Sequence, residues 1–508
     1  MTFVRLSQPL LFACLLKLLL ATGRVQAALP IETLEKGIYT EETKGDLAGA
    51  IQLYRTIVAD PSADRSLAAQ AQLRLGLCQL KLGNKAQAVS ALERLTQEFP
   101  DKEKLLAMVE KQMPLLLDEI VRQIEQNYIK EIDRTELMQT AILAIVGKLD
   151  KESDYLGEKQ LVQVNQQLDQ RIAGIGAALK FDKETRQVIV QAPLAGSPAL
   201  RAGLRVGDRI VEIDGRPADA LPKGRELEAA VELIRGPTGD PVTLGIQREG
   251  ADRVENVTIV RDTVHLPTVL GDRYKADNTW EFMLDDQRKI GYLRLTQLAH
   301  RSPEEMSSAL TELTNRGMKA LILDLRNNPG GLLSEAVAVS DMFLENGTIV
   351  SLKGRTGNAQ TFEAKKEGTF PAFPMALLVN RRTASAAEII AACLQDHQRA
   401  VVIGERTYGE GLVKSLIHLK GSNSALKLPT SAYYRPSGKN MHRYPESTEA
   451  DDWGVKPDAG YEVLFSDEEL KLYGEYRMKR DIVTARSTAD FHDRQLETAL
   501  TCLAAEQK

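Results

Sequence analysis

Histidine and cysteine are scarce in this chain, with 6 and 4 residues among 508. Cys14 lies in the first apolar segment. That leaves Cys78, Cys393 and Cys502, an odd number set far apart, so no disulfide framework is expected. No two cysteines or histidines stand at ligand spacing, so neither a metal nor a cofactor is expected. Excess positive charge is also missing. The net charge is -5, from 65 Lys and Arg against 70 Asp and Glu, and nothing marks nucleic acid or a strongly anionic membrane as a partner. Long apolar runs are confined to the N-terminus, and no later segment is long enough to span a bilayer. What remains is a chain long enough for several domains and at least one sizeable core.

The N-terminus reads as a targeting segment. Arg5 supplies an early positive charge, Leu10 to Ala21 is mostly apolar, and Val25-Gln26-Ala27 offers small residues for cleavage. Lys17 and the shortness of the run weigh against a membrane anchor. A signal peptide over residues 1–27 makes the protein exported, to the periplasm or outside the cell, and membrane-associated only if the leader stays on. Residues 28–104 then read as helical pairs. Gly45-Asp46-Leu47-Ala48 leads to Pro61, and Leu75-Gly76 through Gly83 and Ala88 leads to Pro100. Small residues at the crossings and proline at the ends resemble two tetratricopeptide-like repeats, which suit an adaptor protein as partner; a plain helical cap is the other reading. Residues 105–164 read as a helical subdomain. Leu117, Ile120, Ile124 and Tyr128 recur at helix spacing, and Pro114 falls in a first turn.

Residues 165–262 carry strand signals broken by turns. Gly174-Ile175-Gly176 comes first. Val188-Ile189-Val190 leads through Ser197-Pro198-Ala199 and Ala202-Gly203-Leu204 to Gly207-Asp208, and Ile213-Asp214-Gly215 follows. The segment resembles a PDZ domain. The resemblance implies that N–H groups at Gly174, Ile175 and Gly176 hold a terminal carboxylate while the peptide adds as a strand. Ile175, Leu179 and Leu233 are expected to line a pocket for an apolar last side chain.

From residue 263 to 465, apolar strands alternate with helical runs: Ile290–Leu295, Leu321–Leu325, Met375–Val379 and Ala400–Ile403, with helices between them. This is an α/β sheet, whose functional loops belong at the carboxyl ends of its strands. Two loops fall there. Arg326-Asn327-Asn328-Pro329-Gly330-Gly331 has two glycines that free the backbone to turn and offer N–H groups. Thr383-Ala384-Ser385-Ala386 opens a helical run, so Ser385 is either a helix cap or a nucleophile beside free N–H groups. Residues 466–508 read as a helical extension.

Together, Asp324-Leu325-Arg326-Asn327-Asn328-Pro329-Gly330-Gly331, the Ser385 segment, Gly404-Glu405-Arg406-Thr407-Tyr408-Gly409 and the late Tyr434-x-Pro436-Ser437-Gly438 and Gly454-Val455-x-Pro457-Asp458 resemble the C-terminal processing peptidases, or tail-specific proteases. The resemblance implies a multidomain α+β protein: a helical N-terminal region, a β-rich PDZ domain and an α/β serine-peptidase core of the ClpP/crotonase-like type. It implies a serine endopeptidase acting on exported proteins with free C-terminal tails. Ser385 falls on the nucleophile, and Gly330, Gly331 and Ala386 on the oxyanion donors. The family's base is a lysine between the two glycines of Gly409-x-Gly411, and a glutamine four residues later assists it. This chain has Glu410 at the first position and Lys414 at the second. Lys414 is then a relocated base with Glu410 beside it, or the two form an ion pair and the protein is an inactive homologue that binds tails. A triad of Ser385, His397 and Asp324 is disfavoured, since His397 sits at a helix end. N-terminal sequencing of exported material is expected to begin at Ala28; finding Met1 would make the protein anchored.

Overall fold

The computed structural model describes residues 29–98, 117–118, 120–248, 250–251, 253–355, 357, 359–483 and 491–506. The leader and Pro114 lie outside them. The chain divides after Ala141 into two compact units.

In the first unit, four helices follow one another: Pro30–Glu42, Leu47–Val58, Arg65–Lys81 and Lys85–Glu98. The side chains of Asp46 and Asp64 accept from free N–H groups in the first turns of the second and third, which fixes where those helices start. Leu34, Ala50, Ile51, Tyr54, Ile57, Ala71 and Cys78 form the shared core. The Tyr54 hydroxyl donates to Glu41 at 2.7 Å, and Arg74 and Lys81 neutralise the same carboxylate at 3.0 and 2.9 Å.

The second unit holds a β-rich body and a larger α/β body. In the first of these, antiparallel strands run in the order Ala177–Asp182, Gln187–Pro193, Arg209–Ile213, Pro241–Gln247 and Val254–Val260. Alternate residues Val188, Val190, Ile210, Val242, Leu244 and Ile246 turn inward and pack with Ala230 and Ile234 of the helix Glu226–Ile234. Ala177–Asp182 is an edge strand, and it leaves directly from Gly174-Ile175-Gly176.

The α/β body is built on four parallel strands in the order Ile290–Leu295, Ala320–Asp324, Met375–Val379 and Val401–Gly404. All are nearly continuous apolar runs because both faces are covered. Leu293, Leu321, Leu323, Leu377 and Val402 face the helices Ser302–Asn315, Leu333–Asp341 and Ala386–Asp396. Tyr292, Ile322, Ala376, Leu378 and Ile403 face the other way, onto Ala499, Cys502 and Leu503 of the helix Arg494–Glu506. The last helix is thus one layer of the core rather than an extension beyond it. A second correction concerns residues 105–164. Asp154–Leu156 is a strand, not helix, because Tyr155 pairs with Leu426 on the long strand Ala425–Tyr434; the helix after it, Glu158–Asp169, crosses the expected boundary at 164.

Charged residues also hold the C-terminal segment to the sheet. Arg326, at the end of a central strand, is fully buried and pairs with buried Asp324 at 2.7 Å. Its third nitrogen reaches Asp493 at 2.9 Å and Gln495 at 3.1 Å, and its plane lies 4.4 Å from the Tyr473 ring centre. Burial alone would raise the Asp324 carboxyl, but Arg326 outweighs it and holds the group below its ordinary value. Removing one member of such a pair strands the other charge in the core. Arg326→Met is therefore expected to cost about 3–5 kcal/mol, read as a lower midpoint in urea unfolding.

Candidate active site

Three loops leave the carboxyl ends of three adjacent parallel strands: Leu325 to Gly331, Asn380 to Ser385, and Glu405 to Gly411. The strand register places them side by side, and buried polar side chains fasten them together. Asn328 donates to the Leu295 carbonyl at 2.8 Å, and its own carbonyl accepts from the Ala384 N–H at 2.9 Å. The Thr383 hydroxyl donates to the Leu325 carbonyl at 2.8 Å, and the Thr383 carbonyl accepts from the Tyr408 N–H at 2.9 Å.

Ser385 sits at the junction. Its backbone has φ 54° and ψ -124°, a strained conformation for a residue with a side chain, and the helix Ala386–Asp396 begins immediately after it. A sharp strand-to-helix turn of this kind presents a serine hydroxyl above the sheet with helix N–H groups beside it. Gly330 closes the other side. A Cβ there would lie 2.9 Å from both the Ser385 Cβ and the Ala386 nitrogen, so only glycine admits this approach.

The three expected oxyanion donors separate in the structure. The Gly330 N–H is already given to Asn328 Oδ1 at 2.8 Å, so as a donor it would have to be shared. The N–H groups of Gly331 and Ala386 have no hydrogen-bond partner among the described residues. Those two are the unpaired donors of this loop cluster: Ala386 follows Ser385 directly, and Gly331 follows the Gly330 that packs against it.

Lys414 and Glu410 come together, with Lys414 Nζ 3.3 Å from Glu410 Oε2, although the strand register slips between Val413 and Lys414. A second carboxylate, which the sequence did not reveal, lies closer: Glu152 Oε2, at 2.6 Å. Burial works to lower the Lys414 pKa, but the two carboxylates outweigh it and raise the group above its ordinary value. A lysine must be neutral to take a proton from serine, and this environment opposes the neutral form.

Two further groups escaped the sequence reading. Burial pushes the Tyr433 phenol up to about 12 while nearby Ser385 works to lower it, so a neutral phenol stands close to Ser385. His442 passes behind Gly411, and burial holds its imidazole below the ordinary value. Its Nδ1 and the Glu410 Oε1 are both buried without a partner. His397 and Asp324 take no part: His397 Nε2 meets the Thr348 carbonyl at 2.8 Å, and Asp324 is committed to Arg326.

At the distant Gly174-Ile175-Gly176 loop, the Ile175 and Gly176 carbonyls accept from Ala199 at 2.8 Å and Leu194 at 2.9 Å, while the N–H groups of the same two residues have no partner among the described residues. Gly174 pairs with Asp262 at the end of its strand. The Ile175 side chain is 2% exposed and belongs to the domain core, so it does not line a pocket; Leu179 and Leu233 are half-buried against that core. Among the described residues no cluster of His, Cys, Asp or Glu could hold a metal ion.

Two carboxylates on Lys414 make a direct test. Glu152→Gln removes one, lowers the lysine pKa and enlarges its neutral fraction. If Lys414 is the base, Ser385 labelling by a fluorophosphonate is expected to accelerate at fixed pH in Glu152→Gln and to vanish in Lys414→Gln. Equal rates for wild type and Lys414→Gln at every pH from about 6 to 10, spanning the ordinary lysine range, would remove Lys414 from the mechanism.

Comparison with known proteins identifies the family. The sequence profile of peptidase family S41 matches residues 289–460, that of the PDZ domain matches 189–248, and that of a tetratricopeptide repeat matches 70–102. A carboxy-terminal-processing protease of Bartonella bacilliformis is 32% identical over 410 residues, covering 76% of this chain and 87% of its own. A carboxyl-terminal-processing protease of a Synechocystis species is 32% identical over 369 residues, covering 71% and 80%. Among solved structures, a photosystem II D1 C-terminal processing protease is 27% identical, with coverage of 70% and 94% and a TM-score of 0.38. The chain belongs to peptidase family S41, the carboxy-terminal-processing serine endopeptidases, and carries the PDZ domain and tetratricopeptide repeat recognised in its sequence.

Proposed function

We propose that this protein is an exported endopeptidase, periplasmic or extracellular, that holds the free C-terminal tail of a protein substrate at its PDZ domain and cleaves the substrate through an acyl-enzyme on Ser385. The observation that carries the reading is the strained Ser385 turn, with unpaired N–H groups at Gly331 and Ala386 beside it. In the first step the hydroxyl adds to the scissile carbonyl, its proton passes to a base, and the oxyanion is met by those two N–H groups. Collapse expels the amine with a proton, and water then releases the acyl group. Lys414 serves as base in this reading only in its neutral form, so turnover rises with pH.

Tail binding follows from the other site. The unpaired N–H groups at Ile175 and Gly176 can hold a carboxylate, and the open edge of Ala177–Asp182 offers strand pairing. We also assign the core to the ClpP/crotonase-like type, on its parallel strands with intervening helices, and an adaptor to the N-terminal helix pairs. A second reading is favoured by one observation. The Glu152–Lys414–Glu410 cluster holds the lysine protonated, as expected of a homologue that binds tails without cutting them.

Fluorophosphonate labelling and cleavage of a tail-bearing protein decide between the two. The catalytic reading expects both in wild type and neither in Ser385→Ala. The binding reading expects neither in wild type, with gain only in variants carrying Glu410→Lys. In both, the Ser385→Ala protein is expected to bind a free-acid peptide more tightly than its amide. Equal affinity would remove the carboxylate from recognition.

A further inference from the structure

Glu388 lies one helical turn after Ser385 and is fully buried. Its carboxylate faces the loops rather than a cation. One oxygen, Oε2, accepts from the Ser385 N–H and from the Glu410 N–H, both at 2.8 Å. The other, Oε1, accepts from the Gly409 N–H at 2.8 Å and from the Thr407 hydroxyl. Thr407 in turn accepts from the Val455 N–H at 2.7 Å. Four donors from two separate loops thus converge on one side chain, and three of them are backbone.

We infer that Glu388 is a positioning residue for the nucleophile: its carboxylate ties the strained Ser385 turn to the Thr407–Glu410 loop, and the tie tightens when the carboxylate is ionised. The shared oxygen keeps the Ser385 and Glu410 nitrogens within about twice a normal hydrogen-bond length of each other. The only other direct tie between residues 383–385 and 407–410 among the described residues is the backbone bond from Tyr408 to Thr383. Without the carboxylate the positive-φ turn at Ser385 loses the acceptor for its own N–H, and the bonds from Ala384 to Asn328 and from Tyr408 to Thr383 are left to hold the loops. Gly454 leaves room for this arrangement: a Cβ there would lie 2.8 Å from the Thr407 hydroxyl oxygen and 3.4 Å from Glu388 Oε1.

Ionisation controls the strength of the tie, because hydrogen bonds to a carboxylate are stronger than those to a neutral carboxyl. Burial pushes Glu388 up to about 7 against the pull of its four donors. The surrounding ionisable groups are Glu410 on the donor loop, Lys414 and Glu152 behind it, and Tyr433 and His442 on the segments beside that loop. Glu405 and Arg406 precede Thr407 but turn away, to the Phe465 N–H and the Trp453 carbonyl.

This inference rests on Ser385 being the nucleophile, and the test separates the two. The full chain is followed from about pH 5.5 to 9, spanning the neutral range, by fluorophosphonate labelling of Ser385 and by protection of the Ser385 and Gly409–Glu410 amides against hydrogen exchange. In wild type both are expected to fall together below pH 7, as the ionised fraction drops about tenfold per pH unit. Glu388→Gln is expected to abolish that inflection in both. Thr407→Val removes one donor to the charged form and should move it to higher pH; Thr407→Ser keeps the donor and should leave it in place. Should Glu388→Gln not fold, the Thr407 pair carries the test. Protection that follows pH as described without labelling at any pH supports the Glu388 tie and sinks the nucleophile. Labelling with an unchanged inflection in Glu388→Gln, or one that Thr407→Val leaves unmoved, overturns the tie.

Discussion

The register of the parallel sheet is the constraint on which the site depends. Leu323 and Asp324 lie beside Leu377 and Leu378, and Leu378 and Val379 lie beside Ile403 and Gly404. The three strands therefore end at one level, and the loops that follow have no choice but to meet. A slip of one residue in any strand would also exchange the two buried faces. One face is committed to Ile389, Ile390 and Leu394 of the helix Ala386–Asp396, the other to Leu503 of the last helix. Packing on both sides of the sheet thus enforces the alignment of the loops above it.

Loops beyond the strand ends cannot rely on sheet hydrogen bonds, so buried polar side chains hold them. Asn328, Asn380, Thr383 and Glu388 are all buried, and each is hydrogen-bonded to backbone in a neighbouring loop. The charged residues below the site do similar work at larger scale. Arg326 links the start of the glycine loop to Asp493 and Tyr473. Arg477 links the same C-terminal segment to Asp272 and Asp481. Buried charges contribute little net stability when paired, but they leave few alternative arrangements once in place. The C-terminal segment is in this sense part of the floor of the site.

The electrostatics of the base region are inverted relative to what a serine–lysine dyad requires. A lysine activated for proton abstraction sits in an apolar pocket or near another cation. Lys414 sits instead between two carboxylates, one contributed by Glu152 from just before the strand Asp154–Leu156. The Tyr433 phenol close to Ser385 is neutral, and Glu410 Oε1 is buried with no partner among the described residues. Whatever takes the Ser385 proton must compete with an acidic surrounding that stabilises cations and penalises additional negative charge.

Several elements were legible from local pattern because they obey a short-range rule. Ile290–Leu295 and Met375–Val379 are strands where continuous apolar runs indicated strands, and the helix beginning at Ala386 follows from small and apolar residues after Ser385. The glycine pairs at Gly330-Gly331 and Gly174-x-Gly176 marked backbone that needs close approach or positive φ. What the sequence could not carry is the identity of partners distant along the chain. Glu152 with Lys414, Arg326 with Asp493, and Glu388 with Thr407 and Glu410 are each brought together by folding, and no periodicity connects them. The capping-box spacing of Ser385 and Glu388 accounts for the bond to the Ser385 N–H, but not for the donors Thr407, Gly409 and Glu410. The sequence alone determined the residue types present: a serine where a helix starts, two glycines opposite, and a glutamate at 410 with a lysine at 414. Only the tertiary structure decided their chemical states, because burial and through-space neighbours set whether Glu388, Lys414 and Tyr433 carry a charge.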